Sequence, residues 1–219
     1  MMQLSYIFDG LEMFSTLIPL VMYFVVKPKM QRWLKYLLFY CTINIAFAVY
    51  ATVLYSQQVN NIQVYLAMNM VFFFCSILAI DNLINQQSIS KIIRVILPLT
   101  TLIFVANAIW GEGKALFNSR SITISNIIII ILCLYYYRYS LKTLIVKHKN
   151  TEITFIEREP SFWIISGLFV YCGGIFFLYS FYSSITISAK DFANTAWNLN
   201  DVLLFIMNVS FAKGIKCLK

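Results

Sequence analysis

Seven long apolar segments, separated by short polar breaks, most constrain what this chain can fold into. A helix needs about 20 mostly apolar residues to cross the hydrocarbon core of a bilayer. By that rule the sequence predicts seven spans, at 5–26, 33–55, 62–84, 92–111, 120–142, 161–185 and 195–213. Lipid offers no hydrogen-bond partner, so helices are the open-ended structure that satisfies every backbone group there. The sequence therefore predicts an all-α polytopic membrane protein, a bundle of seven transmembrane helices.

The composition indicates one membrane domain. Hydrophobic residues make up 60% of the chain and charged residues 12%, against about 45–50% and about 25% in soluble domains. With 219 residues and no long polar tract, we expect residues 1–219 to form a single seven-helix domain without a soluble domain. The start, "MMQLSYIFDG", lacks the cationic region of a secretory signal, so the first segment is expected to be a retained helix.

The distribution of basic residues predicts the orientation, because Lys and Arg concentrate in cytoplasmic loops. With the N-terminus outside, three of the 17 basic residues face outward, namely Lys114, Arg120 and Lys190. The tryptophans lie at predicted span ends, as in an aromatic belt: Trp33 and Trp163 at inner ends, Trp110 and Trp197 at outer ends. The sequence thus predicts a cytoplasmic C-terminus and a place in the cell (inner) membrane. The net charge of +8 then reflects topology, and no nucleic-acid partner is expected.

Features that mark common enzymes and cofactor sites do not occur in the sequence. The chain has a single histidine, His148, and neither a G-x-S-x-G elbow nor a Gly-rich phosphate loop. The last span reaches a lysine, Lys213, only at its end, whereas a retinal pigment needs one near the middle. The five cysteines fall mostly inside apolar segments without metal-ligand spacing: Cys41, Cys75, Cys133, Cys172 and Cys217. We therefore predict no catalytic residue, no metal site and no cofactor.

Polar residues inside the spans are the candidate functional residues. Asn198, Asp201 and Asn208 share one face of the last span, and that face should turn into the bundle because buried acids and amides are costly in lipid. Grouped with polar residues of other spans, they predict a ligand cavity open to the outside, with these candidates: Asp9, Glu12, Asn69, Asn107, Asn126, Asn198 and Asp201. Amides and hydroxyls also hold membrane helices together, and the sequence leaves both roles open.

A second group of residues is expected to govern helix packing or switching. Asp81, near the inner end of span three, either pairs with Arg94 or Arg138 or remains an ordinary interfacial acid. In span six, Gly167 and Gly174 share a face and would let a neighbouring helix come close, while Gly173-Gly174 would also permit a hinge. The candidates for packing or switching are Asp81, Arg94, Arg138, Trp163, Tyr171, Gly174 and Asn208.

The last third of the chain carries a family resemblance. "EPSFWIISGLFVYCGGIFFLYS", followed by "AWNLNDVLLFIMNVSFAKGIKCLK", resembles the seven-helix sensor region of Bacteroidota membrane proteins, which is often fused to or found beside histidine kinases. The matching positions are Pro160, Phe162, Trp163, Tyr171, Gly174, Trp197, Asn200 and Asn208. The resemblance implies a sensory or receptor-like role, here standing alone because the sequence ends soon after span seven.

Three functions follow as expectations. The first is a membrane sensor that binds a small ligand from the outer side and relays to a cytoplasmic signalling protein at the loop 138–159. The alternatives are a small-solute transporter or channel, and a membrane scaffold or assembly subunit without a ligand. The lipid bilayer is the expected surrounding of the bundle, and the sequence leaves a homo-oligomer open.

Overall fold

The computed structural model describes residues 2–57, 59, 62–110, 119–147, 158–188 and 190–219. Within these ranges the side chains at 2–13, 55, 62, 108, 110, 119, 141–147, 179, 181–188 and 190–197 lie outside the description. The described ranges contain seven helices and no strand. They are α1 (Met2–Val26), α2 (Arg32–Ser56), α3 (Ile62–Ile84), α4 (Gln87–Trp110), α5 (Ser119–Lys147), α6 (Pro160–Ser188) and α7 (Lys190–Lys216). Each predicted span coincides with one helix, which confirms the all-α prediction.

The ends of α1 and α3 show why these helices stop where they do. Lys27 and Asn85 follow the two helices with φ angles of 50° and 48°, the left-handed conformation that commonly closes a helix. The N–H of Lys27 still bonds the carbonyl of Tyr23 at 2.8 Å, and that of Asn85 bonds the carbonyl of Asp81 at 2.9 Å. Pro28 follows Lys27 directly and cannot continue the helix.

The helices pack as a closed bundle with α3 as its central member. Going around the bundle, α1 contacts α2, α2 contacts α3, α5 contacts α6, α6 contacts α7, and α7 returns to α1. The helix α3 also touches α4, α5 and α6, whereas α4 packs only on α3 and α5 among the described helices. We call the end where α1, α3, α5 and α7 finish the basic end, because Lys27, Arg138 and Lys213 lie there, exposed. The other end is the far end.

The surface of the bundle is apolar, and much of its polar content is inside. Phe24 on α1, Leu102 on α4 and Phe177 on α6 are 68%, 65% and 64% exposed, while Asn208 and Thr16 are fully buried. A protein in water tends toward the reverse arrangement. This distribution matches a helical protein surrounded by lipid.

Five described helices are long and apolar enough to cross a membrane: Arg32–Leu54, Gln63–Ile84, Gln87–Asn107, Arg120–Ser140 and Pro160–Leu178. In α1, the apolar segment within the described residues, Phe14–Val26, is shorter, and α7 is not among the five. The chain is therefore compatible with a multi-pass membrane protein.

Candidate functional site: buried polar groups in the bundle

Four buried polar side chains meet where α1, α2 and α7 come together. The Nδ2 of Asn208 on α7 donates to Ser15 Oγ at 3.0 Å and to Thr16 Oγ1 at 3.4 Å on α1. The Nδ2 of Asn44 on α2 donates to the same Thr16 Oγ1 at 3.2 Å. All four residues are at most 5% exposed. We call this set, Ser15, Thr16, Asn44 and Asn208, the α1–α2–α7 junction, and it confirms that Asn208 faces the bundle interior.

A second polar group links α6 to α7 about halfway along the bundle. The hydroxyl of Tyr171 on α6 donates to Asn200 Oδ1 at 3.5 Å, and Asn200 Nδ2 donates to Asp201 Oδ1 at 3.3 Å. Asp201 is 6% exposed, which confirms its predicted inward orientation. The ring of Tyr171 also meets Phe72 of α3 edge-on, with ring centroids 5.2 Å apart. This contact brings the α6–α7 pair against the central helix.

The third group lies on α5, one to two turns from the far end. Ser121 Oγ accepts a hydrogen bond from Asn107 Nδ2 of α4 at 3.1 Å. Further along α5, Thr123 Oγ1 and Asn126 Nδ2 are buried atoms without a hydrogen-bond partner, and Asn126 is 1% exposed. An unpaired buried polar group costs about 1–3 kcal/mol, and lipid cannot reduce that cost. These two atoms are therefore the described far-end groups most in need of a ligand or a water.

The described contacts do not join the other predicted ligand residues to Thr123 and Asn126. Asn69 Nδ2 donates to the carbonyl of Tyr65 in its own helix at 2.8 Å, and Asn198 is half-buried. Asp9 and Glu12 belong to α1, but their side chains lie outside the described residues. Among the described residues predicted to line the outer cavity, Asn126 is therefore the one with a buried donor that lacks a hydrogen-bond partner.

At the basic end, Asp81 is bound by a neighbouring hydroxyl. Ser90 Oγ donates to Asp81 Oδ1 at 2.6 Å across the turn between α3 and α4. Arg94 and Arg138 are both exposed. Among the described side chains neither arginine forms an ion pair with Asp81, one of the two alternatives from the sequence, and the carboxylate accepts its hydrogen bond from Ser90 instead.

Glycines bring α6 and α7 into close contact, as the sequence predicted. A Cβ on Gly167 would lie 2.9 Å from Ser210 Cβ and 3.1 Å from the carbonyl oxygen of Met207. A Cβ on Gly174 would lie 2.6 Å from a terminal methyl of Leu203. Gly173 has nothing within 4 Å of such an atom, so it takes no part in this approach.

Side-chain contacts near the basic end join α5, α6 and α7. Tyr136 OH donates to Ser161 Oγ at 2.6 Å, and Tyr137 OH and Ser166 Oγ are joined by a hydrogen bond of 2.8 Å. The Nζ of Lys213 on α7 lies 5.5 Å from the ring centroid of Trp163 on α6, a cation–π distance. These contacts would transmit a movement of one helix to the next.

Within the described part of the chain, a small cavity lies between the middle of the bundle and the basic end. It is lined by side chains of α2, α3, α6 and α7, most of them apolar, with Tyr40 and Ser76 as the polar ones. The empty space there, about 230 Å³, includes volume open to the surroundings, so the enclosed part is far smaller than a ligand pocket. We regard it as a packing gap. Of the seven residues predicted to line the outer cavity, Asp9 and Glu12 have side chains outside the described residues.

Comparison of the chain with protein-family models, curated proteins and solved structures finds no match. The resemblance of the last two helices to a sensor region therefore stays a prediction.

Sequence reasoning missed two residues of the α1–α2–α7 junction. Asn44 stands alone in the middle of the apolar helix α2. Ser15 adjoins Thr16, which the sequence pattern places on one face of the first span with Asp9 and Glu12. A single amide at mid-span was the available signal, because such residues are costly in lipid. It was overlooked because Asn44 belongs to no polar stripe of its own helix.

Proposed function

We propose that this chain is a receptor-like signalling subunit of the cell (inner) membrane, which binds a small ligand from the outer side and relays to a cytoplasmic partner. The observation that carries the proposal is the pair of buried, unpartnered polar atoms on α5, Thr123 Oγ1 and Asn126 Nδ2. They lie on the side of the bundle opposite its basic end.

The proposed topology has seven spans with the basic end in the cytoplasm. Exposed cations at that end support this topology through the preference of Lys and Arg for cytoplasmic loops. They lie in the connection between α1 and α2 and on α2, α4, α5 and α7, and include Lys29, Arg32 and Arg94. The helices α1 and α7 also cross the membrane in this arrangement. Their polar side chains at Thr16, Asp201 and Asn208 are buried.

The proposed ligand is small and contains a hydrogen-bond acceptor. Asn126 Nδ2 needs an acceptor, and Thr123 Oγ1 can donate or accept. The two residues are three positions apart, which places them on one face of α5. Asn107 Nδ2, another candidate, already donates to Ser121 Oγ.

The proposed relay runs from α5 through α6 to α7. The hydrogen bonds of Tyr136 and Tyr137 to Ser161 and Ser166 connect α5 to α6. The close glycine contacts connect α6 to α7. A ligand that shifts α5 would thus change the position of the α6–α7 pair by biasing the bundle toward one of two packings. A cytoplasmic protein at the loop 138–159 would read that change, although residues 148–157 lie outside the described part of the chain.

The binding proposal is tested by mass spectrometry of small molecules that co-purify in mild detergent. We compare the wild type with Asn126→Leu and with Asn69→Leu, whose amide is already bonded within its own helix. We expect a molecule that is retained by the wild type and by Asn69→Leu and lost from Asn126→Leu. Equal retention by both variants would contradict the site. So would a more stable Asn126→Leu with no molecule bound to the wild type, since that result means a dry structural amide.

The topology is tested by labelling with a membrane-impermeant maleimide in intact cells. In a Cys217→Ser background the four remaining native thiols are buried. We expect Val59→Cys, at an exposed far-end position, to be labelled from outside, and Lys29→Cys to be labelled only after permeabilisation. The reverse labelling pattern would place the basic end outside the cell and contradict the proposed orientation of the bundle.

A further inference from the structure

The α1–α2–α7 junction contains a buried acceptor that nothing in the described part of the protein satisfies. Asn208 is completely buried, and its Oδ1 has no hydrogen-bond partner. Its Nδ2, in contrast, donates to hydroxyls of both Ser15 and Thr16. Rotating the amide by 180° would exchange its oxygen and nitrogen, yet one of the two atoms would still lack a partner. The unmet group is therefore a property of the site.

We propose that the α1–α2–α7 junction binds one water molecule, which hydrogen-bonds the unpartnered side-chain atom of Asn208. Buried waters in proteins typically make about three hydrogen bonds to polar groups that would otherwise be unsatisfied. The junction supplies an amide with an unmet atom and three further polar side chains from two other helices. A water donor matches Oδ1 in the amide orientation described, and a water acceptor would match Nδ2 in the other.

A monovalent cation is the competing occupant, and the chemistry of the junction disfavours it. Thr16 Oγ1 already accepts hydrogen bonds from the N–H groups of Asn44 and Asn208, so both of its lone pairs are engaged. Those N–H groups also bring positive hydrogens into the cluster. Along α7 the acid Asp201 lies seven positions before Asn208, about 10 Å along the helix axis at about 1.5 Å per residue. A neutral ligand avoids burying an uncompensated charge.

The water gives the junction a role that is independent of the proposed α5 ligand. The water satisfies the unpartnered side-chain atom of Asn208 between the three helices. A water-mediated hydrogen bond there is nearly as favourable as a direct one. It also lets α7 shift against α1 without leaving an amide unpaired in lipid. The junction would then be a hydrated contact between three helices.

The proposal is tested first on the wild-type protein in lipid nanodiscs, by electron cryomicroscopy at a resolution that shows ordered water. We expect a density peak about 2.7–3.2 Å from Oδ1 or Nδ2 of Asn208, and an unfolding midpoint that is the same in sodium, potassium and choline chloride. A junction with well-resolved side chains and no peak would overturn the proposal. A midpoint that falls by several degrees when choline replaces sodium would also overturn it, in favour of a cation.

A matched pair of variants separates the water from simple packing. Asn208→Leu should lose the peak and lower the midpoint by several degrees. Asn82→Leu is the control, because its Nδ2 donates to the carbonyl of Leu78 within its own helix at 2.7 Å, and it should keep the peak. A midpoint for Asn208→Leu at or above that of the wild type would show that the amide is unsatisfied and dry. The wild-type measurements stand even if Asn208→Leu fails to fold, and none of these results depends on the α5 site.

Discussion

Asn208 near the end of the chain donates a hydrogen bond of 3.0 Å to Ser15 near its start, across 193 positions. This contact ties α7 to α1 and closes the bundle. It also explains why a helix surrounded by apolar neighbours carries an amide. The hydroxyl groups of α1 receive the Nδ2 hydrogens that lipid would leave unpaired.

Replacing Thr16 by the isosteric valine should destabilise the bundle. Thr16→Val removes the acceptor of Asn44 Nδ2 and one of the two acceptors of Asn208 Nδ2. We expect a loss of roughly 1–2 kcal/mol in the free energy of unfolding, the size of an interhelical hydrogen bond in membranes. Thr42→Val is the control, since Thr42 is exposed and bonds its own helix at Leu38. Circular dichroism during unfolding in detergent measures both, and equal losses would contradict a special role for Thr16.

Adding a methyl group to the α6–α7 glycines should have graded effects. Gly167→Ala and Gly214→Ala would place a Cβ within 3.1 Å of a backbone carbonyl oxygen on the facing helix. We expect each to cost about 1–3 kcal/mol through overpacking. Gly174→Ala should cost less, because the atoms in its way are the terminal methyls of Leu203.

Gly173→Ala is the matched control for this series, since its Cβ would meet no atom within 4 Å. It should leave stability unchanged or raise it, because alanine favours the helix by about 1 kcal/mol. Unfolding midpoints of the four variants give the order. A loss at Gly173 as large as that at Gly167 would show that flexibility of α6, rather than close packing, is what these glycines provide.

Removing the hydroxyl that bonds Asp81 should loosen the turn between α3 and α4. Ser90→Ala deletes the donor 2.6 Å from Asp81 Oδ1, and hydrogen bonds to a charged group contribute about 1.5–3 kcal/mol when well formed. Half-burial of both residues places the expected loss near the lower value. Ser88→Ala, at an exposed position of the same turn, should be neutral by the same unfolding measurement.

The same experiment distinguishes the serine from the two arginines. Arg94→Gln and Arg138→Gln should not reproduce the loss of Ser90→Ala, because both guanidinium groups are exposed. An arginine variant that loses as much stability as Ser90→Ala would favour an ion pair with Asp81, one of the two alternatives that the sequence left open.

The contact of Lys213 with Trp163 should contribute modestly to α6–α7 packing. A cation 5.5 Å from an indole centroid is worth about 0.5–1 kcal/mol at an exposed position. A double-mutant cycle with Lys213→Gln and Trp163→Leu measures the coupling directly. The cycle with the exposed Lys216→Gln in place of Lys213→Gln should give no coupling, and a coupling of equal size there would indicate a general charge effect.

The glycine face of α6 was predictable as a place of close packing, whereas the helix that packs there and the polar partners were not. The seven-residue spacing of Gly167 and Gly174 on one helix face is enough to predict the line of close approach. The inward face of α7 followed from the cost of Asp201 and Asn208 in lipid. The hydrogen-bond partner of Asp81 could not be predicted from the sequence, because an acid at a helix end can accept from any donor in the following turn. Here that donor is Ser90, which no charge pattern marks.

The sequence by itself determined that the chain is helical, where its helices lie and which residues of α7 turn inward. These features depend on local quantities, namely the length of apolar runs, the 3.6-residue period and the cost of placing a polar group in lipid. Only the tertiary structure decided which buried groups meet. It joined Asn208 to α1, brought in Asn44 from α2 and left Asn126 Nδ2 without a partner. The physical reason is that hydrogen bonds between helices depend on the depth and rotation of two packed surfaces, which one helix alone does not encode.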